Sequence, residues 1–280
     1  MGGMKRILAI NGSPRGRASN TQRIVNAFFE GAAQAGAACE TIYATELDVH
    51  DCVGCFSCWN KTPGVCVLKD DMPRVLEKML DLDLLVWATP LYHFGMTARL
   101  KRIMERTLPH AKPWIVSDGE HYHHPIRYPG RMAPHFLISN CGFPERHHFG
   151  ALVEEFRLLV GKRSDAFLGS ILCASGELLK VPELASRTSW YLDAVRTAGR
   201  EMAERRAISA ETAATLEQPL IDIQSFVVMA NATWGVPGEI PPTPEEALAG
   251  EPMTPEAVAT LRMLRMRPAS DGGADSTKGE

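Results

Sequence analysis

Residues 6 to 21 read Arg6-Ile7-Leu8-Ala9-Ile10-Asn11-Gly12-Ser13-Pro14-Arg15-Gly16-Arg17-Ala18-Ser19-Asn20-Thr21, and this stretch decides the fold. Its apolar first half is typical of a buried strand, and Ser19 or Asn20, followed by Gln22, is typical of a helix start. A helix that begins directly after such a loop points free backbone N–H groups and its positive dipole end at an anion. The loop also carries hydroxyl groups, at Ser13, Ser19 and Thr21. The stretch therefore predicts a site for a phosphate monoester.

Two well-known phosphate loops are excluded here. Pro14 interrupts any Gly-x-Gly-x-x-Gly dinucleotide fingerprint, and no Gly-Lys-Ser/Thr follows as in a Walker loop. An ordinary strand-to-helix loop without a ligand is the remaining alternative.

The pattern of strand followed by helix continues along the chain. Apolar runs at 41–44, 84–88, 136–139 and 166–172 predict four more strands, and amphipathic stretches predict helices between them. Five strands that alternate with helices indicate an α/β fold with a doubly wound parallel sheet. In such a sheet, ligands bind beyond the carboxyl ends of the strands, where the loops of interest lie.

Two segments of the chain lie outside the five strands and their connecting helices. Residues 114–122 predict a hairpin with a two-residue turn at Asp118-Gly119. Periodic apolar residues after Cys173 predict further helices interrupted at Pro219. The predicted organisation is a ligand-binding domain over 1–175, a helical C-terminal extension packed on it over 176–233, and a Pro/Gly-rich tail over 234–280. The tail is expected to be disordered from Pro268 to Glu280.

Composition and charge limit the classes of partner and the cellular compartment that we expect for this protein. The chain has 280 residues and a formal net charge of −3, which gives no electrostatic reason to expect nucleic acid or an anionic membrane. It shows no signal-peptide pattern and no apolar run long enough to span a bilayer. Seven cysteines, an odd number, suit a reducing compartment better than a disulfide scaffold. We therefore expect a cytoplasmic protein with no nucleic-acid or membrane partner.

Two further loops follow predicted strands. The third strand ends in Thr89-Pro90-Leu91-Tyr92-His93-Phe94-Gly95-Met96-Thr97, and the fourth in Ser139-Asn140-Cys141-Gly142-Phe143. A Pro-aromatic-x-x-Gly loop of this kind can lay backbone N–H groups along a flat heteroaromatic ring. Two ordinary loops with buried aromatic residues are the alternative.

Together these motifs resemble the NAD(P)H-dependent FMN reductases and the related iron–sulfur flavoproteins. The resemblance covers residues 4–175 and implies a flavodoxin-like sheet with strand order 2-1-3-4-5. It implies FMN with its phosphate on the first loop and its isoalloxazine ring between the second and third. The residues that match the phosphate motif are Ser13, Arg15, Ser19, Asn20 and Thr21, and it stays open whether Arg15 or Arg17 reaches the phosphate. Those that match the ring motif are Pro90, Leu91, Tyr92, His93, Phe94 and Gly95, with Asn140, Cys141 and Gly142 as a weaker match.

The resemblance also implies an activity and an assembly. NAD(P)H would reduce FMN, which would pass electrons to a quinone, a flavin or another small acceptor, in a homodimer or homotetramer. No catalytic acid or base is expected, because the flavin carries the chemistry, and Tyr92, His93 and Phe94 could wall the ring face. The alternatives are a flavodoxin-like or iron–sulfur flavoprotein electron carrier without its own nicotinamide site, and a thiol-based redox sensor.

Cys52, Cys55, Cys58 and Cys66 form a compact run with x2, x2 and x7 spacing. Three cysteines at x2 spacing can wrap one face of a 4Fe–4S cluster, and the fourth can complete its ligation. Zinc is less favoured, because zinc sites usually separate two close pairs. Uncoordinated or redox-active thiols are the third alternative.

Two groups of charged or titratable residues are interpreted as solvated rather than functional. The predicted basic outer face of a helix comprises Arg99, Lys101, Arg102 and Arg106. The loop histidines are His121, His123, His124, His147 and His148.

Overall fold

The computed structural model describes residues 3–161, 163, 165–236 and 238. Its elements in chain order are β1 (Arg6–Asn11), α1 (Asn20–Gln34), β2 (Ala38–Tyr43), α2 (Ser57–Asn60), α3 (Met72–Lys78), β3 (Leu84–Pro90), α4 (Ala98–Glu105), β4 (Val116–Ser117), β5 (Tyr122–His123), β6 (His135–Asn140), α5 (Gly150–Val160), β7 (Phe167–Cys173), α6 (Ala185–Arg205), α7 (Ala210–Glu217) and α8 (Ile223–Ala232).

Five strands form one parallel sheet in the order β2-β1-β3-β6-β7. This is the predicted order 2-1-3-4-5, because β4 and β5 lie outside the sheet. The interior strands are buried along almost their whole length, which explains why their sequences are continuous apolar runs. The predicted flavodoxin-like fold class is confirmed.

Helices cover both faces of the sheet. On one face α3, α4 and α5 contribute Val75, Leu100 and Phe156 to a core that surrounds Trp87 of β3. On the other face Phe28 of α1 stacks on Phe136 of β6, with their ring centroids 5.3 Å apart.

Helices α1 and α6 approach each other closely. A Cβ atom on Gly31 would lie 1.8 Å from the Arg196 carbonyl oxygen, and one on Gly199 would lie 1.9 Å from that of Phe28. Only glycine allows this approach. The first compact unit of the chain, which includes α6 and α7, ends at Leu220.

The predicted hairpin is present as the antiparallel pair β4 and β5, but the connection between the paired Ser117 and Tyr122 is longer than the predicted two-residue turn and comprises residues 118–121. Its flanking segments pack on the cysteine-rich loop, since the Trp59 indole N–H donates to the Leu108 carbonyl oxygen at 3.1 Å. The Trp59 ring also lies 4.7 Å from that of His124. His124 thus contacts an aromatic side chain as well as solvent.

The second compact unit begins at Ile221 and includes α8. The Asp222 carboxylate caps α8 by accepting the Ser225 backbone N–H at 2.8 Å. The predicted interruption near Pro219 is confirmed by the break between α7 and α8. Most of the predicted tail, including the stretch from Pro268 to Glu280, lies outside the described residues. None of the described helices has the length and apolar character needed to cross a bilayer.

Candidate functional site

The loop between β1 and α1 is shaped by its own polar side chains. The Asn11 side-chain oxygen accepts the Ser13 backbone N–H at 2.8 Å, which turns the chain directly after the strand. The Ser19 hydroxyl donates to the Gly16 carbonyl oxygen at 2.7 Å and accepts the Gln22 N–H at 3.0 Å. Ser19 is therefore the predicted N-cap. The Gln22 side chain does not complete a capping box with Ser19, because its oxygen accepts a hydrogen bond from the Asn11 side-chain amide at 2.8 Å.

Asn20, at the start of α1, has a buried side-chain amide without a hydrogen-bond partner among the described residues. It is 4% exposed, and among the described residues neither its amide nitrogen nor its amide oxygen has a hydrogen-bond partner. A buried amide left unpaired costs free energy, so such groups in native proteins usually have a protein, water or ligand partner. Its neighbour Thr21 donates to the Asn140 side-chain oxygen at 2.6 Å. The open donor of Asn20 at a helix start fits a phosphate oxygen.

Gly12 joins this first loop to the second. A Cβ atom there would lie 2.4 Å from the Leu100 Cβ and 2.8 Å from the Thr97 hydroxyl oxygen. The Thr97 hydroxyl donates to the Gly12 carbonyl oxygen at 2.7 Å. The start of α4 therefore sits directly against the first loop, which only a glycine at position 12 permits.

The two arginines of the first loop point to different partners. The Arg17 guanidinium bonds the Glu46 carboxylate at 2.8 Å and lies 4.2 Å from the centre of the Tyr43 ring. Arg15 instead bonds Glu177, in the loop after β7, with 3.2 Å between Nη1 and Oε1. The structure thus gives Arg17 other partners and leaves Arg15 beside the ends of the strands.

The second loop makes a tight turn. Tyr92 and Gly95 exchange two backbone hydrogen bonds of 2.9 Å, and the residues between them, His93 and Phe94, have φ values of 46° and 63°. Two successive non-glycine residues in this left-handed region are strained by roughly 1–2 kcal/mol each. Such strain concentrates at functional sites. The turn leaves the Tyr92 and Phe94 side chains 49% and 52% exposed.

The third loop lies beside the second. The Leu91 backbone N–H donates to the Asn140 carbonyl oxygen at 2.8 Å. Cys141 is buried, and burial raises the pKa of its thiol. The next turn is fixed by the Gly176 N–H, which donates to the Cys141 carbonyl oxygen at 2.8 Å. Pro90 through Gly95 and Asn140 through Gly142 are therefore brought to one edge of the sheet, as predicted.

His148 links these two loops, which the sequence did not indicate. Its ring lies 5.7 Å from that of Phe94 and 4.6 Å from that of Phe143. The side chain is only 18% exposed, so the interpretation of His148 as a solvated loop histidine is wrong. His148 and Phe143 lie in an irregular segment, so no helical or strand periodicity in the sequence could have revealed their contact.

The cysteine-rich loop joins β2 to α3. Cys52 and Cys55 are exposed, Cys66 is partly buried, and Cys58 is buried. Burial raises the pKa of the Cys58 thiol, and the neighbouring Cys66, Cys52 and Cys55 add to that rise. Hydrogen bonding with Ser57 lowers the pKa of Cys55. Within the part of the chain that is described, no three His, Cys, Asp or Glu side chains converge closely enough to hold one metal ion.

Arg106 anchors this loop from inside. Its side chain is 1% exposed and forms an ion pair with Asp70, whose side chain is 0% exposed. Its guanidinium also donates to the His50 carbonyl oxygen at 2.7 Å and to the Cys66 sulfur at 3.4 Å. The interpretation of Arg106 as part of a solvated basic face is therefore wrong. The reason is that α4 ends at Glu105, so Arg106 leaves the outer face and turns inward.

Asp70 is saturated with donors. Burial alone would raise its pKa, but hydrogen bonds from Arg106 and from the backbone N–H groups of His50 and Met72 outweigh that effect and lower it. The carboxylate is consequently kept charged beside the guanidinium.

Part of this chain is similar to known proteins. The model of the NADPH-dependent FMN reductase family matches residues 5–118. An iron–sulfur flavoprotein of Methanocaldococcus jannaschii is 33% identical over 104 residues, which are 37% of this chain and 52% of that protein. Another, from Archaeoglobus fulgidus, is 35% identical over 102 residues, 36% of this chain and 48% of that protein. The match thus spans about half the length of these curated relatives.

Solved structures support the fold. An NAD(P)H:quinone oxidoreductase from Methanothermobacter marburgensis superposes with a TM-score of 0.51 at 18% identity, over 71% of this chain and 97% of that one. An FMN-dependent NADH-azoreductase from Bacillus anthracis, in complex with FMN, gives 0.52 at 15% identity, over 72% and 100%. At such identities the likeness shows the shared fold alone.

Proposed function

We propose, from the match of residues 5–118 to the model of the NADPH-dependent FMN reductase family, that this chain is an FMN-dependent oxidoreductase using NAD(P)H. Its electron acceptor would be a quinone, a flavin or another small molecule. The observation that carries the proposal is the meeting of three loops at one edge of the sheet, with the buried Asn20 amide in the first loop lacking a partner among the described residues. Ligands bind at this edge in doubly wound sheets.

The first loop would hold the FMN phosphate. Free N–H groups at the start of α1 and the Asn20 amide would donate to its oxygens, and Ser13 would add a hydroxyl group, whereas the Thr21 hydroxyl already donates to Asn140. Ser19 acts differently, because its hydroxyl already caps α1 and bonds Gly16. Its role is to fix the loop and to cap α1.

The second and third loops would hold the ring. Bound FMN supplies the hydride-accepting and electron-donating group, which no side chain of this chain needs to replace. The turn from Tyr92 to Gly95 fixes backbone N–H groups at the edge of the site, and its strain is compensated by two reciprocal hydrogen bonds. Phe94, Phe143 and His148 lie in ring contact and would offer an aromatic surface for a planar substrate.

Anaerobic titration tests this proposal. Protein loaded with FMN should lose its flavin absorbance on stoichiometric addition of NADPH or NADH, and subsequent addition of a quinone should restore it. A variant with Asn20→Leu, which cannot donate to a phosphate, should retain little FMN after gel filtration and serves as the matched control. A loaded protein that keeps its absorbance with either nucleotide would contradict the proposed reaction.

An electron carrier of the flavodoxin type is the rival class. It would bind FMN at the same loops but would lack turnover with nicotinamide nucleotides. Steady-state oxidation of NAD(P)H in the presence of a quinone separates the two, because a carrier needs a separate reductase. Both readings require FMN, so the titration and the turnover assay answer different questions.

A 4Fe–4S cluster at Cys52, Cys55, Cys58 and Cys66 is a further part of the proposal. It is supported by the spacing and by the names of the matched relatives, which are iron–sulfur flavoproteins. The thiols as they lie do not fit a single ion, zinc included, so we derive no step of the reaction through a metal. Iron and sulfide analysis of anaerobically purified protein distinguishes a cluster from free or redox-active thiols. A redox sensor would instead show a conformational response to oxidation with negligible turnover.

We further propose a cytoplasmic homodimer or homotetramer without nucleic-acid or membrane partners. The proposal rests on the odd number of cysteines, the small net charge and the family resemblance. Light scattering of the purified chain measures the assembly, and a monomer at micromolar concentration would contradict it.

A further inference from the structure

We infer that Glu177 is a positioning residue for the FMN phosphate, because it holds the Arg15 guanidinium at the mouth of the first loop. The inference deepens the proposed function and rests on it. Glu177 lies 162 positions from Arg15 in the sequence, and Oε1 of its carboxylate is 3.2 Å from Arg15 Nη1. A long flexible side chain that is fixed before the ligand arrives loses less conformational entropy on binding.

The backbone that carries Glu177 is rigidly attached to the third loop. The Ser175 N–H donates to the Phe143 carbonyl oxygen at 2.8 Å, and the Gly176 N–H donates to that of Cys141 at 2.8 Å. A Cβ atom on Gly176 would lie 2.9 Å from the Asn140 Cβ, so the chain is pressed against the start of the third loop. Ser175 itself has a φ of 53°, which costs strain and indicates a fixed conformation. The backbone just before Glu177 is thus fixed by hydrogen bonds to the third loop.

The charges at this point favour an anion. The Lys180 ammonium also pairs with the Glu177 carboxylate, so two cations surround one anion and the group of three carries a formal charge of +1. Burial alone would raise the pKa of Glu177, but Lys180 and Arg15 outweigh it and lower the value, which keeps the carboxylate charged. Lys180 therefore offsets the repulsion that Glu177 would otherwise exert on a phosphate.

The geometry also leaves Arg15 free to bind. Among the hydrogen bonds between described residues, its guanidinium donates one, through Nη1. The edge formed by Nε and Nη2 has no partner there, and two parallel N–H groups of this kind can bind a phosphate in a bidentate manner. Glu177 and a phosphate can therefore engage opposite sides of one planar group. Arg17 lacks this freedom, because Nε and Nη2 already bond Glu46.

Affinity for FMN and for riboflavin, measured by quenching of flavin fluorescence in the purified full chain, tests the inference. Riboflavin lacks the phosphate, so it reports ring binding alone. We expect Arg15→Gln to weaken FMN binding about tenfold and Glu177→Gln severalfold, with riboflavin binding unchanged, because one charge-assisted hydrogen bond is lost or disordered. The double variant should bind FMN no more weakly than Arg15→Gln, since Glu177 acts through Arg15.

Controls separate the outcomes. Arg17→Gln removes a cation from the same loop and should leave FMN affinity within twofold of the wild type, whereas Glu177→Asp should weaken it because the shorter chain cannot reach Arg15. Equal or tighter FMN binding by Glu177→Gln would overturn the inference and leave FMN binding itself intact. A wild-type protein that binds neither flavin would instead overturn the proposed function. Far-UV circular dichroism verifies that each exposed-site variant is folded.

Discussion

Replacing Arg106 by methionine tests whether the buried ion pair organises the cysteine-rich loop. The substitution keeps most of the side-chain volume but leaves Asp70 buried without its cation. Arg106 makes two hydrogen bonds to Asp70, one to the His50 carbonyl oxygen and one to the Cys66 sulfur, all in the interior. Removing one partner of a buried pair typically costs about 3–5 kcal/mol. That is a large share of the roughly 5–15 kcal/mol by which native domains are stable.

The expected readout is a fall in melting temperature of roughly 10 °C, since each kcal/mol shifts a domain of this size by about 2–4 °C. Circular dichroism and urea unfolding measure it. Arg102→Met on the preceding turn is the matched control, because Arg102 pairs with Asp51 at the surface and such pairs contribute about 0–1 kcal/mol. An equal fall in melting temperature for Arg106→Met and Arg102→Met would refute the reasoning.

The pH dependence of the same variant gives a second check. Hydrogen bonds lower the folded-state pKa of Asp70, so its contribution is fully present above the unfolded value of about 3.9 and is lost as pH falls through the lowered folded value. The difference in stability between wild type and Arg106→Met should therefore be largest near neutral pH and shrink in strong acid. A difference that is constant from pH 7 to pH 2 would point to lost packing rather than to the lost charge.

Two other predictions concern the packing around the site. Gly199→Ala should destabilise the protein by about 1–3 kcal/mol in urea unfolding, because the new Cβ atom would lie 1.9 Å from the Phe28 carbonyl oxygen. Gly150→Ala meets no atom within 4 Å and should be neutral or stabilising, so equal losses would disprove the close contact. Burial lowers the pKa of His135, whose ring accepts the Trp87 indole N–H at 2.9 Å, to about 4. The neutral ring therefore contributes stability that is fully present above the unfolded pKa of about 6.5 and is lost as pH falls towards 4. The unfolding free energy should consequently fall with pH over this range, and His135→Gln should make that fall smaller. An unchanged slope would show that His135 is not the group responsible.

The sheet and the three loops could be predicted from the sequence because both follow local rules. Buried parallel strands are continuous apolar runs, and parallel strands bring their carboxyl ends to one edge. The Ser19 cap and the turn at Asp118-Gly119 are likewise encoded within a few residues. These features needed no knowledge of tertiary contacts.

The features that were missed depend on residues far apart in the chain. The burial of Arg106 requires Asp70, which is 36 positions away, and helical periodicity alone placed that arginine on a solvated face. His148 contacts Phe94 only because β3 and β6 are neighbours in the sheet. The link between Arg15 and Glu177 joins loops whose residues are 162 positions apart in the chain. Sequence spacing contains no signal for such pairs.

A crystal structure of the chain with FMN tests the central claim most directly. We predict the phosphate between Ser13 and Thr21, with one oxygen within hydrogen-bond distance of the Asn20 amide nitrogen and another facing the Arg15 guanidinium. FMN bound elsewhere, or a first loop in which the Asn20 amide stays unpartnered beside an ordered flavin, would contradict the account.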